Sequence, residues 1–290
     1  EEELDAEQVI VSSQLNRYEE LGVLGYGGIG KVLLVRDGDL KRNVAMKMLL
    51  STRKDPVHQE ALRRFVEEAQ ATGQLEHPNI VPVYELGQHE EDRPYYTMRF
   101  LPGETLRDAI AAYHARGPAS GDRALEFRRL LGVFTGVCNA IAYAHSRAVI
   151  HRDLKPENVV LGGFGEAILL DWGLAKVAGE REPGADSVEL VDSDSRRTAM
   201  GTVLGTPAYM APESAAGDSE RVTTRTDIYG LGAILFEILT GQPPHAGVQP
   251  GGLIQRVARG ETPRARSVRS STPMALDAIC ARAMARSPND

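Results

Sequence analysis

Residues 18–102 alternate between short β-type runs and one helical stripe. Apolar positions at residues 21–24 and 32–35 stand on either side of the glycine-rich segment 25–30, and this pattern predicts a β-hairpin. Residues 56–75 place apolar side chains at helical spacing, which predicts an amphipathic helix. Further strands are expected at residues 44–47 and 95–98. This part of the chain should therefore form a small sheet with one main helix.

From residue 103 the periodicity becomes helical. Apolar residues between 130 and 145 fall on one stripe and predict a long helix. Residues 227–240 predict a second, strongly apolar helix that Gly241 ends. The segment 116–121 carries the glycine, proline and serine of a loop between helices. The expected fold class is α+β, with a mostly helical second part.

Composition places the chain among ordinary globular proteins. Of its 290 residues, 42% are hydrophobic and 25% are charged, which argues against wholesale disorder. The formal net charge of −7 argues against a nucleic-acid partner, because counterion release requires a basic face. The two cysteines, Cys138 and Cys280, favour a reducing compartment over a disulfide framework. Apolar runs fall short of the roughly 20 residues of a membrane span, so no membrane contact is expected within this chain.

Candidate chemistry is concentrated in residues 151–158, with the sequence His-Arg-Asp-Leu-Lys-Pro-Glu-Asn. Asp153 offers a carboxylate that could accept a proton, Lys155 offers a cation, and Asn158 offers a neutral oxygen suited to Mg²⁺. Asp171 follows with a hard anionic ligand. Phosphoryl transfer needs these groups, because phosphate charge must be neutralised while a hydroxyl is held in line. A plain polar turn is the alternative, and the full set of residues argues against it.

The segments 151–158 and 171–173 together resemble the catalytic loop and the metal-binding triplet of protein kinases of the eukaryotic type, a pattern already known for that family. The resemblance implies a bilobal protein-kinase fold. A small antiparallel-sheet N-lobe with its hinge would occupy residues 18–102, and a larger, mostly helical C-lobe would occupy residues 103–290, ending before the family's last helix. Residues 1–17 are acidic and weakly patterned and are expected to form a tail or linker. The absence of an initial methionine suggests a fragment of a longer protein.

The resemblance also implies a role for each polar group of these segments. Asp153 would orient the substrate hydroxyl, and Lys155 would steady the transferred phosphoryl group. Asn158 and Asp171 would bind Mg²⁺. Within the family, Lys155 is typical of serine/threonine-specific members, so a bacterial kinase of the Hanks type acting on these hydroxyl groups is expected. That expectation is by analogy.

In the first part of the chain, the resemblance makes Lys47 the residue that holds the α and β phosphates of ATP. Glu68 would form an ion pair with Lys47. Its neighbour Glu67 is expected to be a solvated charge. Successive side chains on a helix point about 100° apart, so only one of the two glutamates can face the site.

The other implied nucleotide contacts surround the adenine, the ribose and the phosphates. They are Gly25, Gly27, Gly30, Val32, Ala45, Met98, Leu101, Asp108 and Leu161. A glycine-rich turn is weak evidence alone, but a strand follows the last glycine here, whereas a dinucleotide site requires a helix. Asp108 has an alternative as a simple helix-dipole partner. Two departures from the family pattern are Arg99, where an acidic residue is expected, and Trp172, which replaces a phenylalanine and could pack against the helix bearing Glu68.

Residues 205–213 resemble the end of a kinase activation segment, where a protein substrate docks. Thr202 is the first candidate for phosphorylation, with Thr198 and Ser195 as second choices. Arg152 would be a buried cation that a phosphothreonine could neutralise. Asp227 is expected to brace the backbone of the catalytic loop. Glu213 usually pairs with a later arginine in the family, for which Arg282 and Arg286 are the substitutes available here.

The expected function is transfer of the γ-phosphate of ATP, with Mg²⁺, to proteins. A pseudokinase scaffold is the alternative, which the intact set of polar residues argues against. A small-molecule phosphotransferase is a third possibility, which the peptide-docking segment argues against. A cytoplasmic location is expected. It is equally compatible with the chain being the cytoplasmic domain of a larger, membrane-anchored protein. A homodimer formed through the N-lobe would allow phosphorylation in trans.

Overall fold

A computed structural model describes residues 11–12, 17–27, 30–51, 58–89, 93–116, 122–173, 176–177, 207–218 and 220–287. The chain divides into two compact units with the boundary between Pro102 and Gly103. Both units contain helix and sheet, so the predicted α+β class is confirmed.

The first unit is built on a six-stranded sheet. Its strands are β1 (Val11–Ser12), β2 (Tyr18–Tyr26), β3 (Gly30–Asp37), β4 (Arg42–Leu49), β5 (Val83–His89) and β6 (Arg93–Arg99). They lie in the order β1-β5-β6-β4-β3-β2, and all neighbours are antiparallel except the β1–β5 pair. The predicted hairpin is β2–β3, in which Gly25 lies opposite Val32.

Strand β4 separates two packing layers because its side chains alternate between the faces of the sheet. Val44, Met46 and Met48 join one hydrophobic cluster, which includes Tyr95. Leu49, on the opposite face, packs with the buried stripe of α1 (His58–Gly73). The same alternation carries Ala45 and Lys47 to the face of the sheet that α1 covers.

The start of the first unit lies earlier than Tyr18. Val11 and Ser12 pair in parallel with Gly87 and Gln88 of β5, so a short piece of the predicted tail belongs to the sheet. Arg17 donates to Asp37 (3.0 Å) and to Glu85 (3.0 Å) and so ties the entry of the chain to two other parts of the unit. The remainder of residues 1–17 lies outside the described residues.

The second unit is mainly helical. Its helices are α2 (Leu106–Ala115), α3 (Arg123–Ser146), α4 (Pro212–Ala215), α5 (Thr224–Thr240), α6 (Pro250–Ala258), α7 (Ala265–Val268) and α8 (Met274–Ala283). Its strands are β7 (Gly103–Thr105), β8 (Val149–Ile150), β9 (Val159–Gly162), β10 (Ala167–Leu169) and β11 (Lys176–Val177). Short 3₁₀ turns lie at Pro156–Asn158 and Pro207–Tyr209. The unit therefore begins with a strand, β7, which pairs with β9 before the first helix starts.

Helix α5 lies at the centre of this unit. Every residue from Tyr229 to Leu239 is buried, as expected of a helix that is apolar on all sides. Thr223 caps its first turn and Gly241, with a φ of 87°, ends it at the predicted position. The helix places Asp227 in its first turn, within hydrogen-bond distance of the backbone at His151 and Arg152.

The prediction that Arg282 or Arg286 forms an ion pair with Glu213 is wrong. Glu213 is buried and its Oε1 atom accepts a hydrogen bond from Thr226 Oγ1 at 2.7 Å. Arg282 and Arg286 are exposed, and neither lies within ion-pair distance of this carboxylate. The first turn of α5 thus satisfies Glu213 with a hydroxyl group. The two cysteines are free, as expected. In the part of the chain that is described, no helix has both the length and the apolar composition to span a membrane.

Candidate active site

Lys47 and Glu68 form a buried ion pair in the first unit. Strand β4 directs Lys47 towards α1, and Glu68 is on the buried side of that helix, with its side chain 1% exposed. Lys47 Nζ donates to Glu68 Oε1. The neighbouring Glu67 instead pairs with Arg63 at 2.6 Å, one turn earlier on the helix. The structure therefore brings Glu68 to Lys47 and turns Glu67 away from it.

Tyr96 is a further partner of this pair that sequence reasoning missed. Its hydroxyl group donates to Glu68 Oε1 at 2.6 Å, and the side chain is buried on β6 directly opposite Lys47 of β4. The alternation of β6, which puts Tyr96 and Met98 on one face, was the available signal. Nothing in the sequence joined that face to residue 68.

The glycine-rich turn closes through a hydrogen bond from Gly27 N to Gly30 O at 2.7 Å. A Cβ atom at Gly25 would meet no other atom within 4 Å, whereas one at Gly30 would run into the Met48 carbonyl oxygen. Gly30 is thus required by the close approach of β3 to β4. Space is open beside Gly25, and a Cβ atom at Gly27 would make an ordinary contact with the Gly30 carbonyl oxygen at 3.7 Å. Val32 follows on β3, opposite Lys47.

The remaining candidates of the first unit lie on the same sheet. Ala45 is buried on β4 and lies opposite Met98 of β6, which is partly buried. Leu101 is also partly buried, just before the boundary of the unit. The register therefore places two of the implied nucleotide contacts, the small Ala45 and Met98, directly opposite each other.

The catalytic loop of the second unit holds Asp153 from two sides. Lys155 Nζ lies 2.6 Å from Asp153 Oδ2, and Asn158 Nδ2 donates to the Asp153 carbonyl oxygen at 3.0 Å. The Asp153 carboxylate is 14% exposed, so it keeps some access to solvent. The loop has a fixed backbone with a carboxylate and an ammonium group side by side.

Asp227 braces the backbone on which Asp153 stands. Its buried carboxylate accepts hydrogen bonds from His151 N (2.9 Å), from Arg152 N (2.8 Å) and from His145 Nε2 (2.7 Å). Arg152 has a φ of 71°, a conformation that is strained for a residue other than glycine. The expected structural role of Asp227 is therefore visible in the hydrogen bonds that it accepts.

Asn158 and Asp171 lie at the same end of the β9–β10 hairpin. Leu170 N donates to the Asn158 carbonyl oxygen at 2.7 Å, and Asp171 is the next residue along the chain. The bond from Asn158 Nδ2 to the loop backbone leaves the amide oxygen as the atom for another ligand. An amide oxygen and an exposed carboxylate match the preference of Mg²⁺ for hard oxygen ligands, so the donor set fits this metal.

Trp172 is fully buried beside the catalytic loop. Its ring lies 4.6 Å from the ring of His151, measured between centroids. Burial lowers the pKa of His151, against the opposing charges of Asp227, Asp171 and Asp153. A neutral imidazole packed on an indole gives the loop an apolar support.

The remaining predicted site residues are Leu161, Asp108 and the three phosphorylation candidates. Leu161 is buried on β9. Asp108 forms a capping box with Thr105, accepting from Thr105 N at 3.0 Å while Asp108 N donates to Thr105 Oγ1 at 3.2 Å. The hydrogen bonds from Thr105 lower the pKa of Asp108. A carboxylate in the first turn of α2 also agrees with the alternative role as a helix-dipole partner. Thr202, Thr198 and Ser195 lie outside the described residues.

A polar network joins the catalytic loop to the segment at Pro207–Tyr209. Arg107 Nη2 donates to the Tyr209 hydroxyl group at 2.6 Å, and Tyr209 donates to Glu237 Oε2 of α5 at 2.5 Å. Arg107 Nε also lies 2.6 Å from Glu157 Oε1 and forms an ion pair with it. Sequence reasoning did not find this network, because Arg107 and Tyr209 are 102 residues apart.

Comparison with known proteins tests the resemblance. The family model described as "Protein kinase domain" matches residues 18–278. The chain belongs to the protein kinase family. Its bilobal class follows from that membership, and the kinase fold expected from the sequence is confirmed.

This kinase domain is similar to three bacterial proteins named as serine/threonine-protein kinases. It is 40% identical over 237 residues to the serine/threonine-protein kinase PknD of Protochlamydia amoebophila, covering 80% of this chain and 24% of the relative. It is 36% identical over 282 residues to PknD of Chlamydia pneumoniae, covering 95% and 30%. It is 36% identical over 280 residues to the serine/threonine-protein kinase PknB of Mycobacterium tuberculosis, covering 95% and 40%. The kinase domain thus spans a quarter to two fifths of the length of these relatives.

Proposed function

We propose that this kinase transfers the γ-phosphate of ATP to serine and threonine hydroxyl groups of proteins. The observation that carries the proposal is the catalytic loop, in which Asp153 stands beside Lys155 on a backbone that Asp227 holds. The names of the relatives support the choice of serine and threonine.

Each side chain has a part in this reaction. Asp153 accepts a hydrogen bond from the substrate hydroxyl group and orients it, and Lys155 neutralises charge on the transferred phosphoryl group. Asn158 and Asp171 hold Mg²⁺, which when bound neutralises charge on the phosphates of ATP. These four residues belong to one short stretch of the second unit.

Residues of the first unit bind the nucleotide in this proposal. Lys47 contacts the α and β phosphates, and Glu68 keeps its ammonium group in place. The backbone of the turn at Gly25 and Gly27 covers the phosphates. Within the first unit, the apolar residues Val32, Ala45, Met98 and Leu101 contact the adenine.

Phosphorylation of the activation segment is the proposed control. Arg152 is partly buried, and burial lowers the pKa of its guanidinium group. Among the described residues, no carboxylate lies within ion-pair distance of that group. A phosphate on Thr202, or on Thr198 or Ser195, would supply the missing anion. We place the domain in the cytoplasm, where ATP is available and the two free cysteines stay reduced.

Mass spectrometry of the intact protein and of its phosphosites, after incubation with Mg²⁺-ATP, tests the proposal. We expect phosphate on the activation segment of the wild-type chain and none on Asp153→Asn. A rate that rises with protein concentration would indicate transfer in trans between two copies of the chain. Nucleotide binding without any phosphate on protein or peptide would instead establish a pseudokinase.

A further inference from the structure

We infer that Tyr96 is a positioning residue for phosphoryl transfer: its hydroxyl group holds Glu68 in the orientation that pairs with Lys47. The inference rests on the proposed nucleotide-binding role of Lys47. All three side chains belong to the first unit.

The three side chains meet at one oxygen atom. Glu68 Oε1 accepts a hydrogen bond from the Tyr96 hydroxyl group at 2.6 Å and is also the contact of Lys47 Nζ. Tyr96 and Lys47 are directly opposite each other on β6 and β4, and Glu68 comes from α1. Two strands of the sheet therefore hold a single carboxylate of the helix.

Burial makes these contacts costly to lose. The Glu68 side chain is 1% exposed, and its Oε2 atom has no hydrogen-bond partner among the described residues. A buried carboxylate with few donors depends strongly on each one that it has. The Tyr96 hydroxyl group thus supplies a large share of the direct stabilisation of this charge.

The two donors differ in how well they fix a direction. An ammonium group at the end of four methylene groups is a rotatable point charge, so Lys47 constrains the distance to the carboxylate more than its orientation. Tyr96 has a rigid ring, which is buried and packs against Phe65 of α1 with 5.2 Å between centroids. Thr72 Oγ1 also donates to the Glu68 carbonyl oxygen at 2.7 Å, which fixes the helix backbone at this point. Glu68 is therefore oriented by a rigid donor before any nucleotide binds.

Tyr96→Phe tests the inference, because it removes the hydroxyl group and keeps the ring against Phe65. We expect kcat/KM for ATP to fall about tenfold, as for loss of one hydrogen bond to a charged group. The KM for a peptide substrate should stay within twofold, because the change reaches only the side chains that hold the nucleotide. Amide hydrogen exchange of α1 should become faster.

Tyr95→Phe is the matched control. Tyr95 is also buried on β6, faces the opposite side of the sheet, and donates its hydroxyl hydrogen to another carboxylate, Glu85 Oε1, at 2.9 Å. Its loss should lower the unfolding temperature by a similar amount and leave kcat/KM for ATP unchanged. Equal kinetic loss in the two variants would mean that Tyr96 acts only through general stability and would overturn the inference.

A double variant shows whether Tyr96 acts through Glu68. In a Glu68→Gln background, Tyr96→Phe should change kcat/KM for ATP less than twofold. A further tenfold loss there, or wild-type kinetics for the single Tyr96→Phe variant, would refute the role. If the wild-type chain transfers no phosphate, the proposed function fails by itself. Titration with a non-hydrolysed ATP analogue and hydrogen exchange of α1 then still test the role of Tyr96. We expect weaker binding of the analogue and faster exchange in Tyr96→Phe, and neither change in Tyr95→Phe.

Discussion

Replacement of Asp227 by asparagine should separate the support of the catalytic loop from the stability of the fold. The carboxylate is 1% exposed; its Oδ2 atom accepts from His151 N and His145 Nε2, and its Oδ1 atom accepts from Arg152 N. In Asp227→Asn, the amide oxygen can keep the two bonds at the Oδ2 position. The amide NH₂ group must then face Arg152 N–H, so two donors meet.

The energetic cost can be estimated from this geometry. The variant loses one hydrogen bond to a charged acceptor and leaves a partly buried N–H group without its acceptor, a loss of about 2–4 kcal/mol in the free energy of unfolding. The strained backbone of Arg152 costs about 1–3 kcal/mol, which is comparable to the support that is lost. Arg152 should therefore relax, and Asp153 should move with it. We expect kcat to fall at least tenfold while KM for ATP changes less than twofold.

Urea denaturation and initial rates of peptide phosphorylation measure the two effects. Asp277→Asn is the control, because Asp277 is 5% exposed and accepts from Arg264 Nη2 (2.5 Å) and Arg266 N (3.0 Å), outside the catalytic loop. It should lose similar stability and keep its kcat. If Asp227→Asn lost stability but kept the kcat of the wild-type chain, the reasoning about backbone strain would be refuted.

Two further predictions concern the second unit. Tyr209→Phe removes the hydroxyl group that donates to the buried Glu237. Thermal unfolding should show a loss of about 1–3 kcal/mol in the free energy of unfolding. Steady-state rates should show a higher KM for a peptide and an unchanged KM for ATP. An unchanged peptide KM would contradict this role. Burial lowers the pKa of His245; the charge of Arg256 lowers it further, and the charge of Glu261 opposes the shift. As pH falls below about 6.5, His245 is therefore protonated in the unfolded chain before it is protonated in the folded chain. This group should then lower the free energy of unfolding by about 1.4 kcal/mol for each unit by which the pH falls. Denaturation at several pH values should show this dependence in the wild-type chain and not in His245→Asn. The same pH dependence in both proteins would exclude a buried neutral His245.

Local patterns predicted much of the fold. The β2–β3 hairpin, the end of α5 at Gly241 and the position of α1 each follow from spacing, glycine or alternation within a few residues. The catalytic loop was also readable, because its chemical groups lie within eight consecutive residues. Short-range signals of this kind depend on backbone geometry that neighbouring residues share.

Contacts between distant parts of the chain were not readable in this way. The sequence suggested an arginine for Glu213, whereas Thr226 supplies a hydroxyl group to it. Asp108 had two candidate roles, as a nucleotide contact or as a helix-dipole partner, and its capping box with Thr105 in the first turn of α2 agrees with the second.

By itself, the sequence determined the family, the class of fold and the identity of the groups that would carry out phosphoryl transfer, because those groups occur as short motifs with fixed spacing. Only the tertiary structure decided which side chains support them. Tyr96 reaches Glu68 across 28 positions of sequence, and Arg107 reaches Tyr209 across 102. Such pairs depend on how a strand packs on a helix, and no local periodicity records which side chain will lie opposite another after folding.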